Sequence, residues 1–272
     1  MNFPLTLARA VMPILRAAVC LLLLAELAIA NAAGAPPIAA AADLKFALTE
    51  VAEIFEKESG HAVKLSFGSS GNFAHQLEHG APFELFLSAD ENLVFRLADQ
   101  GLTRDHGVLY AIGRLVLFVP HGSPLQADAA LSDLKAALAD GRVKRFAIAN
   151  PEHAPYGRAA RAVLQHAGLW SAIESRLVLG ENAAQAVQFA VSGSSQGGLL
   201  PLSLASAPAI AQSGSFTLIS SEWHTSEPLR QRLVLMKSAG DTARAFYDYL
   251  QKPAARAIFV RHGLVLPNKA TH

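Results

Sequence analysis

Three short stretches of the chain carry residue types that could do chemistry. In Phe67-Gly68-Ser69-Ser70-Gly71-Asn72 two hydroxyls sit between glycines. The alternating run His61–Ser66 precedes this stretch, and Phe73, Ala74 and Leu77 follow it at helical spacing up to Gly80-Ala81-Pro82. A helix start leaves backbone N–H groups without partners and carries the positive end of the helix dipole. Glycines there let an anion approach closely, and serines add hydroxyls. The same serines suit an ordinary helix N-cap, so the stretch supports two readings, an anion cradle and a plain cap. His75-Gln76-Leu77-Glu78-His79 spells H-x-x-E-H, which on a helix would let two histidines share a metal with Glu78 as base. Its alternative is a solvated polar face. Gly193-Ser194-Ser195-Gln196-Gly197 spells G-x-S-x-G, but a nucleophile elbow needs a strand before it and a helix after it. Here a helical pattern precedes and an apolar strand follows, so the stretch reads as a helix-ending turn. Arg158 and Arg161 could meet an anion but read as solvated on their helix, and His153 reads as a turn residue.

The elements that must position these residues alternate between strand and helix. Pro37–Ala42 is a short apolar run, read as a buried strand, and Asp43 follows as the natural N-cap of a helix whose apolar face is Leu44, Ala47, Leu48, Val51, Ile54 and Phe55. Phe83–Leu87 is the next strand, and Ser88-Ala89-Asp90 leads into a helix ending at Gly101. This βαβαβα order predicts a mostly parallel sheet with helices on both faces. Val108–Val119 is a long β-rich run carrying Gly113, long enough to pass out of one sheet towards another. A second α/β series follows, with helices over 131–139, 157–166 and 184–191 and strands over 146–149, 177–179 and 198–200. Strand 233–236 and helices over 242–250 and 254–262 close the chain. In such folds ligands meet the carboxyl ends of the strands. Asn150–Gly157 and Gly180–Ala184 are such ends in the second series. Four strand-to-helix turns, two per lobe, can therefore point N–H groups into one cleft and hold a small oxyanion without a formal positive charge.

Composition narrows the class. Arg9 and Arg16 precede the apolar run Ala17–Ala25, too short for a comfortable membrane span, and Ala28-Ile29-Ala30 or Ala30-Asn31-Ala32 offers a cleavage site. Residues 1–33 read as a cleavable secretory signal peptide. Removing Arg9, Arg16 and Glu26 with it leaves 21 of the 23 basic and 21 of the 22 acidic residues, a net charge of zero. Such a chain lacks the basic footprint of a nucleic-acid binder. The single cysteine, Cys20, leaves with the leader, so no disulfide framework or thiol catalyst is expected in what remains.

Read together, the motifs resemble the periplasmic molybdate-binding proteins of ABC importers, the ModA family. The resemblance rests on Ala40-Ala41-Ala42-Asp43-Leu44, Gly68-Ser69-Ser70-Gly71, Gly80-Ala81-Pro82 and Leu85–Asp90. It extends through Tyr110–Leu117, Asn150–Gly157, Gly180-Glu181-Asn182 and Phe246–Gly263. It implies an α/β, two-lobed type II periplasmic solute-binding fold. The first lobe would take residues 36–112 and 226–268, the second 113–225. The implied function is binding of molybdate or tungstate between the lobes and delivery to a membrane permease by a periplasmic monomer, with no catalytic residue and no cofactor. Carried over by position, the ligand-binding residues are Asp43, Ser70, Tyr156 and Ala183, with Ala42 and Ser69 beside them. Asp43 stands where relatives commonly have Ser or Asn. Its side chain is expected to cap its own helix, leaving its N–H for the ligand. Pro201 stands where some members place a tyrosine donor, a role Tyr156 would take over. The alternatives are the same fold binding sulfate or phosphate, and an exported zinc hydrolase built on residues 75–79.

Overall fold

A computed structural model of the protein describes residues 34–267. The signal peptide expected over 1–33 and the last residue expected in the first lobe, 268, lie outside the described residues. Ten strands make two five-stranded sheets. The first has the order β2-β1-β3-β10-β4 and the second β7-β6-β8-β5-β9. The strands are β1 Pro37–Ala41, β2 Lys64–Gly68, β3 Leu85–Ser88, β4 Val108–Ile112, β5 Leu115–Pro120, β6 Phe146–Ala149, β7 Leu177–Gly180, β8 Gly198–Pro201, β9 Gly214–Leu218 and β10 Arg230–Leu235. In each sheet three strands run parallel, β2-β1-β3 and β7-β6-β8. One antiparallel strand, β10 or β5, lies beside them. That strand is the one arriving directly from the other sheet, so the chain crosses between lobes at β4–β5 and again at β9–β10.

The strands at the centre of each sheet read as continuous apolar runs because both of their faces are covered. All four residues of β3 and all four of β6 are buried. Phe118, Phe146, Phe246 and Phe259 fill the larger gaps of the main core. A second cluster of Phe73, Leu77, Phe86, Leu97 and Val234 lies on the other face of the first sheet. The eight longer helices are α1 Lys45–Ser59, α2 Ser70–Glu78, α3 Glu91–Asp99, α4 Ser132–Ala139, α5 Pro155–His166, α6 Ala183–Val191, α7 Asp241–Leu250 and α8 Pro253–Arg261. Among the described residues no helix is long and apolar enough to cross a membrane.

One expectation shifts in register, and another is met. The strand expected over His61–Ser66 runs from Lys64 to Gly68, because it is set by parallel pairing of Pro37 with Lys64 through Ala41 with Gly68 rather than by local alternation. The long run from Val108 breaks at Gly113-Arg114 into β4 and β5, which belong to different sheets. Strand β9 and the short helices Leu202–Ala205 and Pro208–Ala211 are not among the expected elements.

Candidate functional site

Each parallel strand of the site delivers the chain into a helix start at its carboxyl end. After β1, a 3-10 turn at Ala42–Leu44 leads into α1. After β2, Ser69 is extended and α2 begins at Ser70. After β6, Pro155 opens α5, where a residue without an N–H suits the first helical position. After β7, Asn182 caps α6, its side-chain oxygen accepting from the N–H groups of Ala184 and Gln185. That cap leaves the N–H of Ala183 as the unpartnered donor of the turn. The N–H groups of Ser70, Tyr156 and Ala183 have no protein acceptor among the described residues. These turns border a partly open space of about 10 Å³, room for about one water. Asp43, Ser69, Ser70, Tyr156, Ala183 and Ala42 all line it, and no lysine, arginine or histidine does. The structure thus brings together the six positions that the resemblance implies for the ligand.

Neither serine caps its own helix. Ser69 Oγ donates to the carbonyl of His153 across the cleft, and His153 Nδ1 lies 3.1 Å from the same hydroxyl. Ser70 Oγ accepts from the N–H of Ala89 at 3.0 Å, which fixes its position and leaves its proton to donate elsewhere. Of the two readings of this stretch, the plain cap therefore falls: tertiary partners position both hydroxyls, and only that of Ser69 spends its proton on one.

Asp43 departs furthest from expectation. No side-chain bond caps either the 3-10 turn or α1, whose N-cap position is Leu44. The carboxyl lies within the turn, 1 % exposed. Its Oδ2 accepts from the Tyr156 hydroxyl at 3.0 Å and from Gln231 Nε2 at 2.6 Å. Gln231 Oε1 in turn accepts from the Tyr110 hydroxyl at 2.8 Å. Oδ1 is buried with no partner. Burial pushes Asp43 up to about 6, although the two donors on Oδ2 and the residue's own backbone N–H pull in the other direction. Burial, with the nearby Asp43 charge, also pushes Tyr110 and Tyr156 up, so both stay protonated. Tyr156 therefore does not replace the missing tyrosine donor of position 201: its hydroxyl is spent on Asp43. Its backbone N–H is what it offers the cavity. Gly113 makes room for this arrangement, since a Cβ there would stand 2.2 Å from the Tyr156 hydroxyl.

Further contacts join the lobes around the cavity. The N–H of Gly71 donates to the carbonyl of His153 at 3.0 Å, and Asn72 Nδ2 donates to Glu181 Oε1 at 2.7 Å. Arg158, expected to be solvated, is instead paired with Asp90 and Glu227. Arg161 approaches Glu152 at 3.8 Å.

The other motifs are placed away from this cavity. His75 and His79 stack with ring centroids 4.3 Å apart, and Glu78 is held by Arg96 at 2.7 Å. Among the described residues no group of three or more His, Cys, Asp or Glu side chains could hold a metal ion. Ser195 is buried in the turn between α6 and β8, and its Oγ donates to the carbonyl of Gly197 at 3.0 Å.

Comparison with known proteins places this geometry in a family. The model of the bacterial extracellular solute-binding proteins matches residues 37–265. The molybdate-binding protein ModA of Rhodobacter capsulatus is 34% identical over 251 residues, covering 91% of this chain and 95% of that protein. The ModA of Azotobacter vinelandii is 37% identical over 240 residues, covering 87% and 92%. The chain belongs to the ModA family. Its fold matches the solved Azotobacter vinelandii periplasmic molybdate-binding protein with a TM-score of 0.76 and 32% identity, over 86% of this ModA-family chain and all of that one. The sulfate-binding protein SubI of Mycobacterium tuberculosis shares the fold at 15% identity, with a TM-score of 0.67 over 87% of this chain and 88% of that one. The expected two-lobed α/β fold is thus found.

Proposed function

We propose that this chain is a periplasmic binding protein that captures molybdate or tungstate between its lobes and delivers it to an ABC importer's permease. The observation that carries the reading is the convergence of helix starts from both lobes on one small, partly open space lined by N–H groups and hydroxyls without a cationic side chain. Such a lining suits a tetrahedral oxyanion. Each oxygen accepts from a backbone N–H or the Ser70 hydroxyl, and in a closed cleft those bonds are charge-assisted. The names of the relatives supply the choice of ion. Ser70, Tyr156 and Ala183 would donate directly, with the N–H groups of Ala42 and Asp43 beside them and Ser69 holding the neighbouring turn through its bond to the His153 carbonyl. All contacts are to the oxyanion's oxygens and none to its metal centre.

Seating four oxygens takes a small widening of this space, while the Gly71–His153 contact, which does not line it, stays closed. Lobe closure then sets selectivity: fixed donors spaced for a large ion cannot follow sulfate or phosphate inward. The test is equilibrium dialysis of the purified protein against molybdate, with molybdenum counted by elemental analysis. One molybdenum per protein, lost in Ser70→Ala at limiting molybdate, is expected. No retention of molybdenum or tungsten would reject the reading.

A further inference from the structure

Resting on the oxyanion reading, we propose that the ligand is bound together with one proton, held on Oδ1 of Asp43 and donated to a ligand oxygen. An ionised carboxylate against a dianion would repel it, yet Asp43 is among the residues lining the cavity and is buried there. The geometry resolves the conflict. Both protein donors, the Tyr156 hydroxyl and Gln231 Nε2, fall on Oδ2, as they would on the carbonyl oxygen of a neutral acid. Oδ1 has no partner from any other residue. As a hydroxyl it becomes one more neutral donor to the oxyanion, in a lining that already uses only neutral donors.

The surroundings favour the neutral acid. The titratable groups facing Asp43 are Tyr156 from α5 and, behind Gln231, Tyr110 from β4, and burial keeps both phenols protonated. Lys45 at the start of α1 and Lys64 on β2 are exposed. Helix α6 and the short helix Leu202–Ala205, which pack against the Asp43 turn, carry no titratable side chain. Asp90, beside Ala89 of the lining, is paired with Arg158. No cation is therefore placed to hold Asp43 ionised, and burial already pushes its carboxyl up to about 6 without any ligand. A dianion alongside would push it further. The proton comes from solvent on binding. Asp43 thereby makes affinity pH-dependent in a range where molybdate itself stays fully deprotonated.

The test is calorimetric titration of the full purified protein with sodium molybdate at pH 6.5, 7.25 and 8, each in two buffers of different ionisation enthalpy. Near the upper end the dissociation constant should rise about tenfold per pH unit, with close to one proton taken up per ion bound. Asp43→Asn, which carries an N–H donor in place of the acid, should flatten the profile and abolish the uptake. A flat wild-type profile with no proton uptake would overturn the inference and leave the oxyanion reading standing, as would a slope that survives in Asp43→Asn. Failure to bind molybdate or tungstate at every pH would overturn the reading and the inference with it.

Discussion

Gly71 offers a perturbation whose two effects have opposite signs. It lies in the first turn of α2 in the first lobe, against the Asn150–Ala154 turn of the second. A Cβ at Gly71 would stand 2.4 Å from the His153 carbonyl oxygen. Carbon and oxygen in contact rest at about 3.5 Å, so in Gly71→Ala the two turns must part by about 1 Å. The separation breaks the Gly71 N–H bond to His153 and strains the Ser69 hydroxyl bond to the same oxygen. At about 0.5–1.5 kcal/mol for each bond, the closed form loses roughly 1–3 kcal/mol. That corresponds to a molybdate dissociation constant about 5- to 150-fold weaker. The first lobe itself should be no less stable, because Ala exceeds Gly in helix preference by up to about 1 kcal/mol. Calorimetric titration and thermal unfolding of the anion-free protein read the two effects separately. Wild-type affinity in Gly71→Ala would refute the reasoning, since it would mean that the ligand-bound lobes stand farther apart at this contact than they do here.

Further outcomes follow from the same geometry. Ser70→Ala should weaken molybdate binding by about 1.5–3 kcal/mol, one charge-assisted hydrogen bond; unchanged calorimetric affinity would remove Ser70 from the donor set. Asp43 also bears on stability. A carboxyl pushed from 3.8 to about 6 favours the closed fold fully below pH 3.8 and loses that contribution as pH rises through about 6. The loss is up to about 3 kcal/mol. Urea midpoints of Asp43→Asn should therefore pull ahead of wild type between about pH 4 and 6.5 and run parallel above, and parallel curves throughout would contradict this. Arg158→Gln leaves Asp90, already pushed up by burial, without its partner across the cleft. It should weaken binding while each lobe's core stays intact, seen as a higher dissociation constant with unchanged circular dichroism.

The fold was legible where the evidence for it is local. Strand-to-helix turns at Asp43, Ser70, Tyr156 and Ala183 announce themselves by a buried run, a small or polar turn and a helical period. The turns of both lobes therefore fell at the expected places. What a side chain does once it is there was less legible. Asp43 has the spacing of an N-cap, but its partners Tyr156 and Gln231 lie 113 and 188 residues away, and no local pattern encodes that pairing. The same holds for Ser69 and Arg158, whose partners sit on the opposite lobe. Strand β9 escaped because none of its residues is fully buried and its burial shows no sharp alternation. It is held at the sheet edge by its pairing with β5.

The central claim is that a closed cleft of neutral donors selects a large tetrahedral oxyanion. Calorimetric titration of the purified, anion-free protein with molybdate, in the presence of excess sulfate and then of excess phosphate, tests it most directly. The account predicts one-to-one binding that neither competitor displaces. Displacement by sulfate, or heat with sulfate and none with molybdate or tungstate, would contradict it.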